Sequence, residues 1–168
     1  LLTATQWASN MRRARRVEVR QGYDCRVRWT MRYTPENWVD QLHMAMRARG
    51  ATLNDLFMAG LAVVCQKHVP LQRRPHRKSL MLGSIVDLRQ YSPDDLNDVF
   101  GLFLGFTSVI CRPADMADRE KLLRAVAFQN AAHKKKGIAQ TSAFRMLAGV
   151  LAGKLINAEK QAHFYQKH

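Results

Sequence analysis

Apolar residues are densest in two short runs, Leu80–Leu88 and Phe103–Cys111, on either side of a polar, turn-rich segment. Each run is brief, aliphatic and β-branched, which predicts buried strands rather than stand-alone helices. The first ends in Asp87-Leu88-Arg89, placing charges at a strand edge. Ser92-Pro93-Asp94-Asp95 predicts a turn or a one-turn helix start. Gly101 and Gly105 flank Leu102-Phe103-Leu104 and allow backbone or a partner to approach closely. Upstream, Arg26–Tyr33 reads RVRWTMRY. Val27, Trp29 and Met31 alternate there with Arg26, Arg28, Thr30 and Arg32, predicting a third strand with one buried and one basic face. The two apolar runs are expected to be central and this one nearer an edge.

Helical spacing fills the rest. Thr34-Pro35-Glu36 predicts a helix start with Thr34 as cap, an apolar stripe of Trp38, Leu42, Ala45 and Met46, and a left-handed end at Gly50. Thr52 and Asp55 have capping-box spacing before a second helix, whose predicted buried face is Leu53, Leu56, Phe57, Gly60, Leu61 and Val64. Asp115 or Asp118 starts a long helix through Lys136, with Leu122, Leu123, Val126 and Ala127 on its core side and Gly137 as its end. Ser142 caps a last helix carrying Phe144, Leu147, Leu151 and Leu155 on one face. The expected fold is α/β, with three or more strands in a mixed sheet flanked by about four helices. Residues 1–22 read as a basic linker or entry segment and 23–168 as a folded lobe. So thin a sheet suggests half of something larger.

Charge narrows the partners. The 168 residues carry a formal net charge of +14, and Arg12, Arg13, Arg15, Arg16 and Arg20 cluster near the start. Such an excess points to an anionic partner, or to compensating acid in another part of a larger protein. Cys25, Cys65 and Cys111 are far apart in apolar contexts, which predicts buried free thiols in a reducing cytoplasm rather than a zinc site or a disulfide framework. No apolar run is long enough for a membrane span. The start, LLTATQWASN, has no signal-peptide layout and no initiator Met, so a fragment or processed chain is expected. His43, His68, His76, His133, His163 and His168 are scattered, without metal spacing. No GxSxG elbow and no phosphate loop occurs, and nothing assembles a nucleophile, a base and an oxyanion hole. Neither a metal nor a cofactor is expected. Asp87 and Arg89 are two residues apart on the same side of a strand end, where Arg89 can orient a carboxylate through a bidentate contact.

Thr52-Leu53-Asn54-Asp55, opening an apolar helix, resembles the TxND helix start of the condensation-domain and chloramphenicol-acetyltransferase-like superfamily. That superfamily includes peptide synthetase condensation domains, wax ester synthases and alcohol acetyltransferases. Ile85-Val86-Asp87-Leu88-Arg89 is similar to its vxLR strand, and Phe100–Gly105 to its GxFxN segment, with Gly105 where the family usually has Asn. The resemblance covers roughly Arg26–Lys136. It implies one half of a two-lobed, CoA-dependent acyltransferase-like fold, with the active site in a tunnel between lobes. The family's His-His-x-x-x-Asp motif lies in the N-terminal lobe; this chain resembles the C-terminal one and contains no His-His pair and no HxxxD. The resemblance therefore implies no catalytic residue here and no turnover by this chain alone. It implies that Arg89, beside Asp87, braces the motif's Asp, and that Gly101, Phe103 and Gly105 line the tunnel or the lobe interface.

The expected function is the C-terminal lobe of an acyltransferase, moving an acyl group from a CoA or phosphopantetheine thioester to an alcohol or amine. The expected partners are the missing N-terminal lobe and acyl-CoA or an acyl carrier protein. Self-association through an exposed apolar face is expected in the lobe's absence, and nucleic acid is expected to bind only non-specifically. Two rivals are a non-catalytic basic module for nucleic acid or an acidic protein, and a silent half from a degenerate family member. Low aromatic content, with Trp29, Trp38 and Phe103 expected in the core, argues against a nucleic-acid platform.

Overall fold

The computed structural model describes residues 4–15, 29–69, 76–142, 144 and 147. The chain is mixed α/β. Among the described residues the order is α1 (Ala4–Arg13), α2 (Trp38–Arg47), α3 (Leu53–His68), β1 (Leu80–Asp87), a single 3-10 turn (Arg89–Tyr91), β2 (Leu104–Cys111), α4 (Pro113–Met116) and α5 (Arg119–Lys135). β1 and β2 form a two-stranded antiparallel sheet. The Leu88 N–H donates to the Phe103 carbonyl at 2.7 Å where β1 ends and β2 is about to begin. By contact density the chain divides into two compact units: one of residues up to Leu82 with Ser108–Ala132, the other of Gly83–Thr107 with the described residues from His133 onward.

The first unit holds the main apolar core. Leu80 and Leu82 of β1, Val109 and Cys111 of β2, and Leu122 and Val126 of α5 are buried together with the inner side of α3. α3 begins where the sequence places it. Thr52 Oγ1 accepts from the Asp55 N–H at 3.2 Å, and Asp55 Oδ2 accepts from both the Thr52 N–H and its hydroxyl at 2.8 Å. The other Asp55 oxygen accepts from Asn130 Nδ2 of α5 at 2.6 Å, so a carboxylate only 3% exposed is engaged on both oxygens. This link fixes which side of α3 turns inward. Met58, Ala59 and Ala62 are buried, whereas Phe57, Leu61 and Val64 are 62%, 49% and 54% exposed. The expected buried face is thus partly inverted. α3 is apolar nearly all round, so spacing alone does not choose a side; the small alanines let it pack closely, and the Asp55–Asn130 bond selects that side.

Among the described residues no strand pairs with one edge of β2 near Ile110, and a side chain takes that place. Gln129 Oε1 accepts from the Ile110 N–H and Gln129 Nε2 donates to the Ile110 carbonyl, both at 3.0 Å. The amide plane reproduces a ladder pair and satisfies buried backbone without a third strand. Gly50 and Gly137, at φ +63° and +60°, take the left-handed conformation expected after α2 and α5. α5 is capped by Asp118, whose Oδ1 accepts from the Lys121 N–H at 2.7 Å.

Several expectations need correction. Trp29–Tyr33 forms no strand and is exposed, Trp29 at 91%. Alternation makes a strand only where a neighbour offers a ladder, and among the described residues none pairs with it; Arg26–Arg28 lie outside the described residues. α2 is flanked by Asn37 rather than capped by Thr34. The segment read as a linker or entry segment contains α1, and Ala14 after it makes a parallel bridge to Ser79. Arg15 of that basic cluster donates to the Lys78 and Val69 carbonyls, while Arg16 and Arg20 lie outside the described residues. Phe144 and Leu147, expected on one face of a last helix, are exposed; Leu151 and Leu155 lie outside the described residues. No described helix is long and apolar enough to cross a membrane.

Asn130→Ala is expected to lower unfolding free energy by about 1–3 kcal/mol, since it leaves a buried carboxylate oxygen without its donor. Urea denaturation of wild type and variant measures this, and an unchanged midpoint would remove the bond from the stability of α3.

Candidate functional site

The sequence directs attention to the end of β1, and the second unit gathers four of the five residues singled out there. Arg89 opens the 3-10 turn, half-buried, and its guanidinium points back into the loop that leads to β2. Nε donates to the Leu96 carbonyl, and Nη2 to the carbonyls of Val99 and Gly101, each at 3.1 Å. The Nη1 atom lies 3.5 Å from Asp87 Oδ1. The guanidinium also sits over the Phe103 ring, 4.7 Å from its centre. Asp87 is held in turn: its Oδ1 accepts from the Arg89 N–H at 3.0 Å, and its carbonyl accepts from Gln90 Nε2 at 2.9 Å. Asp87, Arg89, Gly101 and Phe103 are therefore one cluster. Its evident chemistry is to hold an irregular loop in a single shape, because the planar fork of donors satisfies carbonyls that have no ladder or helix to enter.

The loop adds its own small turns. Ser92 Oγ accepts from the Asp94 N–H and Asp95 Oδ1 from the Asn97 N–H, both at 3.1 Å. A Cβ on Gly101 would come within 2.9 Å of the Phe103 ring edge, so this glycine lets the ring fold down onto the loop.

Gly105 sits apart from this cluster. It is buried in β2, and a Cβ there would lie 2.7 Å from the Ala139 carbonyl oxygen and 2.8 Å from Leu88 Cδ2. The following Phe106 N–H donates to Ser142 Oγ at 3.0 Å, while the Ser142 hydroxyl donates to Ala139 O at 2.6 Å. Close packing of the 139–142 turn against β2 accounts for glycine at this position. Sequence reading missed that turn, because Ser142 looks only like a helix cap.

The buried Cys111 thiol offers no nucleophile. Burial pushes the Cys111 thiol up to about 11, with Asp115 and Cys65 adding further unfavourable charge. A thiol so held is not a thiolate at neutral pH and acts as a small core residue. His43, His68 and His76 are exposed and separate, and His133 is buried. Among the described residues no three His, Cys, Asp or Glu side chains converge as metal ligands. His163, His168 and Cys25 lie outside the described residues.

Arg89→Ala is expected to release the loop while leaving the first unit's core intact. Amide exchange at residues 96–103 should rise at least tenfold, with about 1–2 kcal/mol lost overall. Arg89→Lys should behave like Ala, because a single ammonium cannot span three carbonyls and a ring. Unchanged exchange in both variants would show that the loop keeps its shape without the guanidinium.

Cys111 sets a pH dependence. Its folded value lies above the ordinary 9.0, so between about pH 9 and about pH 11 the unfolded chain loses this proton and the folded chain keeps it. Stability must fall as pH rises through that window, by up to about 2–3 kcal/mol relative to Cys111→Ala. Parallel denaturation curves for the two proteins at pH 8 and 11 measure the difference; equal slopes would refute it.

Compared with known proteins, the chain matches no protein-family model, no curated protein and no solved structure.

Proposed function

We propose that this chain is the C-terminal lobe of a two-lobed acyltransferase of the condensation-domain type. The observation that carries the reading is the Arg89 cluster at the end of β1, which comes after a helix opened by the Thr52–Asp55 capping box and before β2 and α5, the order that the resemblance implies. The reaction is acyl transfer from a CoA or phosphopantetheine thioester. A histidine base in the partner lobe takes the proton from an acceptor alcohol or amine, the acceptor attacks the thioester carbonyl, and the thiolate leaves and takes up the proton. This chain supplies no base. It supplies part of the tunnel wall and a guanidinium. Among Arg89's polar contacts the one through Nη1 to Asp87 is the longest, at 3.5 Å, and it faces an exposed carboxylate. A carboxylate of the other lobe can take the place of Asp87 at this donor while the guanidinium plane, and with it the loop, stays where it is. Free Cys65 and Cys111 suit a reducing cytoplasm.

One observation favours a second reading, the basic binding module. Trp29, Met31 and Tyr33 are exposed next to Arg32 in a chain of net charge +14, which is the composition of a stacking platform for single-stranded nucleic acid.

The purified chain is expected to release no CoA thiol from acyl-CoA with any alcohol or amine. The intact protein should do so, with His-His-x-x-x-Asp in the sequence preceding Leu1. Turnover by the chain alone, or a preceding sequence without the motif, would overturn the proposal. Nucleic acid should bind weakly, without sequence preference and with steep salt dependence. Tight binding at physiological salt that is lost in a Trp29→Ala, Tyr33→Ala variant would favour the second reading.

A further inference from the structure

Two exposed surfaces of this chain are opposite in character. The outward side of α3 carries Phe57, Leu61 and Val64, and the same stripe runs on to Lys67 and His68. Gly60 lies in its middle, and the space where its Cβ would stand is open. No carboxylate lies on it: Asp55 faces the core. Three adjacent large apolar side chains on one helix face exceed the scattered singles of an ordinary surface.

The loop held by Arg89 is the converse. Phe100 and Leu102 are almost wholly exposed and Val99 partly so, with Asp94, Asp95 and Asp98 beside them. The only cation between Leu88 and Phe103 is Arg89, which is engaged inside the loop. Its bonds to the Val99 and Gly101 carbonyls grip the chain on both sides of Phe100. The apolar tip is therefore pre-shaped, and docking it costs little further ordering.

We propose that the chain self-associates, the Val99–Leu102 tip of one copy seating on the Phe57–Val64 face of α3 in a second copy. Charge selects this occupant. An acidic apolar tip needs an apolar face with a cation at its margin, and each copy offers one, Asp94, Asp95 and Asp98 meeting Lys67, with the His68 ring beside it as a further polar group. The chain as a whole carries a net charge of +14, so two copies repel over most of their surface, and the acidic loop is a patch that a second copy attracts. Each copy carries both surfaces, so two copies make the contact twice if the pair closes on a two-fold axis. The contact does not rest on the acyltransferase reading, and its test involves no turnover.

Sedimentation equilibrium over a range of concentrations tests it. The mass of the wild-type chain should rise from 19.3 kDa toward twice that value. Phe100→Asp and Leu61→Asp should each weaken association by about tenfold or more, as expected for apolar anchors. Asp98→Lys should weaken it less, and mixing that variant with Lys67→Asp should recover part of the loss. All four positions are exposed, and thermal melts check that each variant is folded. A wild-type chain that stays at 19.3 kDa overturns the proposal. So does association that survives either Phe100→Asp or Leu61→Asp, and the charge-exchanged pair tests the same contact without touching an apolar residue.

Discussion

The buried carboxylate of Asp55 is the constraint from which most of the first unit follows. Removed from water without partners, such a group would cost several kcal/mol. Here Thr52 supplies a backbone N–H and a hydroxyl to one oxygen, and Asn130 supplies an amide to the other. The same three residues thereby start α3, set its rotation and tie it to α5. Once the rotation is set, the alanines face in and the large side chains face out. The exposed stripe on α3 is thus a direct result of a polar contact on the opposite side of the helix.

Arg89 plays the matching part in the second unit with the opposite charge. The segment between β1 and β2 has almost no regular structure, so its carbonyls need donors from side chains. A guanidinium offers five N–H groups in a fixed plane, and three of the carbonyls lie where that plane can reach them. The ring of Phe103 covers the flat face of the cation. In both units one ionised side chain replaces what repeated backbone pairing would otherwise supply, and Gln129 does the same for β2 with a neutral amide.

The elements legible in the sequence were those defined by local chemistry. The Thr52 capping box, the glycine ends of α2 and α5, both strands of the sheet and the core side of α5 are fixed by residues a few positions apart. What escaped depends on distant partners. Trp29–Tyr33 has the alternation of a strand, but alternation says nothing about whether a ladder awaits it. The buried side of α3 could not be read from a helix apolar nearly all round, because the deciding residue, Asn130, lies 75 positions away. Arg89 was legible as a residue of consequence, and its contact with Asp87 follows from their spacing. Its grip on three loop carbonyls was not, since loop carbonyls carry no sequence signal. Gly105 was read by likeness as tunnel lining, and its need for glycine came from Ala139, in a turn that no pattern marks.

The two polar anchors also explain why each unit exposes an apolar surface and why the two surfaces differ in chemistry. A core built around large side chains would have drawn Phe57 and Leu61 inward and left no stripe. A loop without Arg89 would have let Phe100 and Leu102 collapse onto the nearest apolar surface, because a flexible tip buries its own aromatics when it can. Instead the carboxylate holds one set of apolar side chains outward on a rigid helix, and the guanidinium holds the other outward on a rigid loop. Each anchor uses its strongest hydrogen bonds within its own unit, so covering the apolar surface displaces water and breaks no polar contact. Surfaces of that kind gain from being covered by another body, and the acidic border of one and the basic end of the other decide which bodies fit.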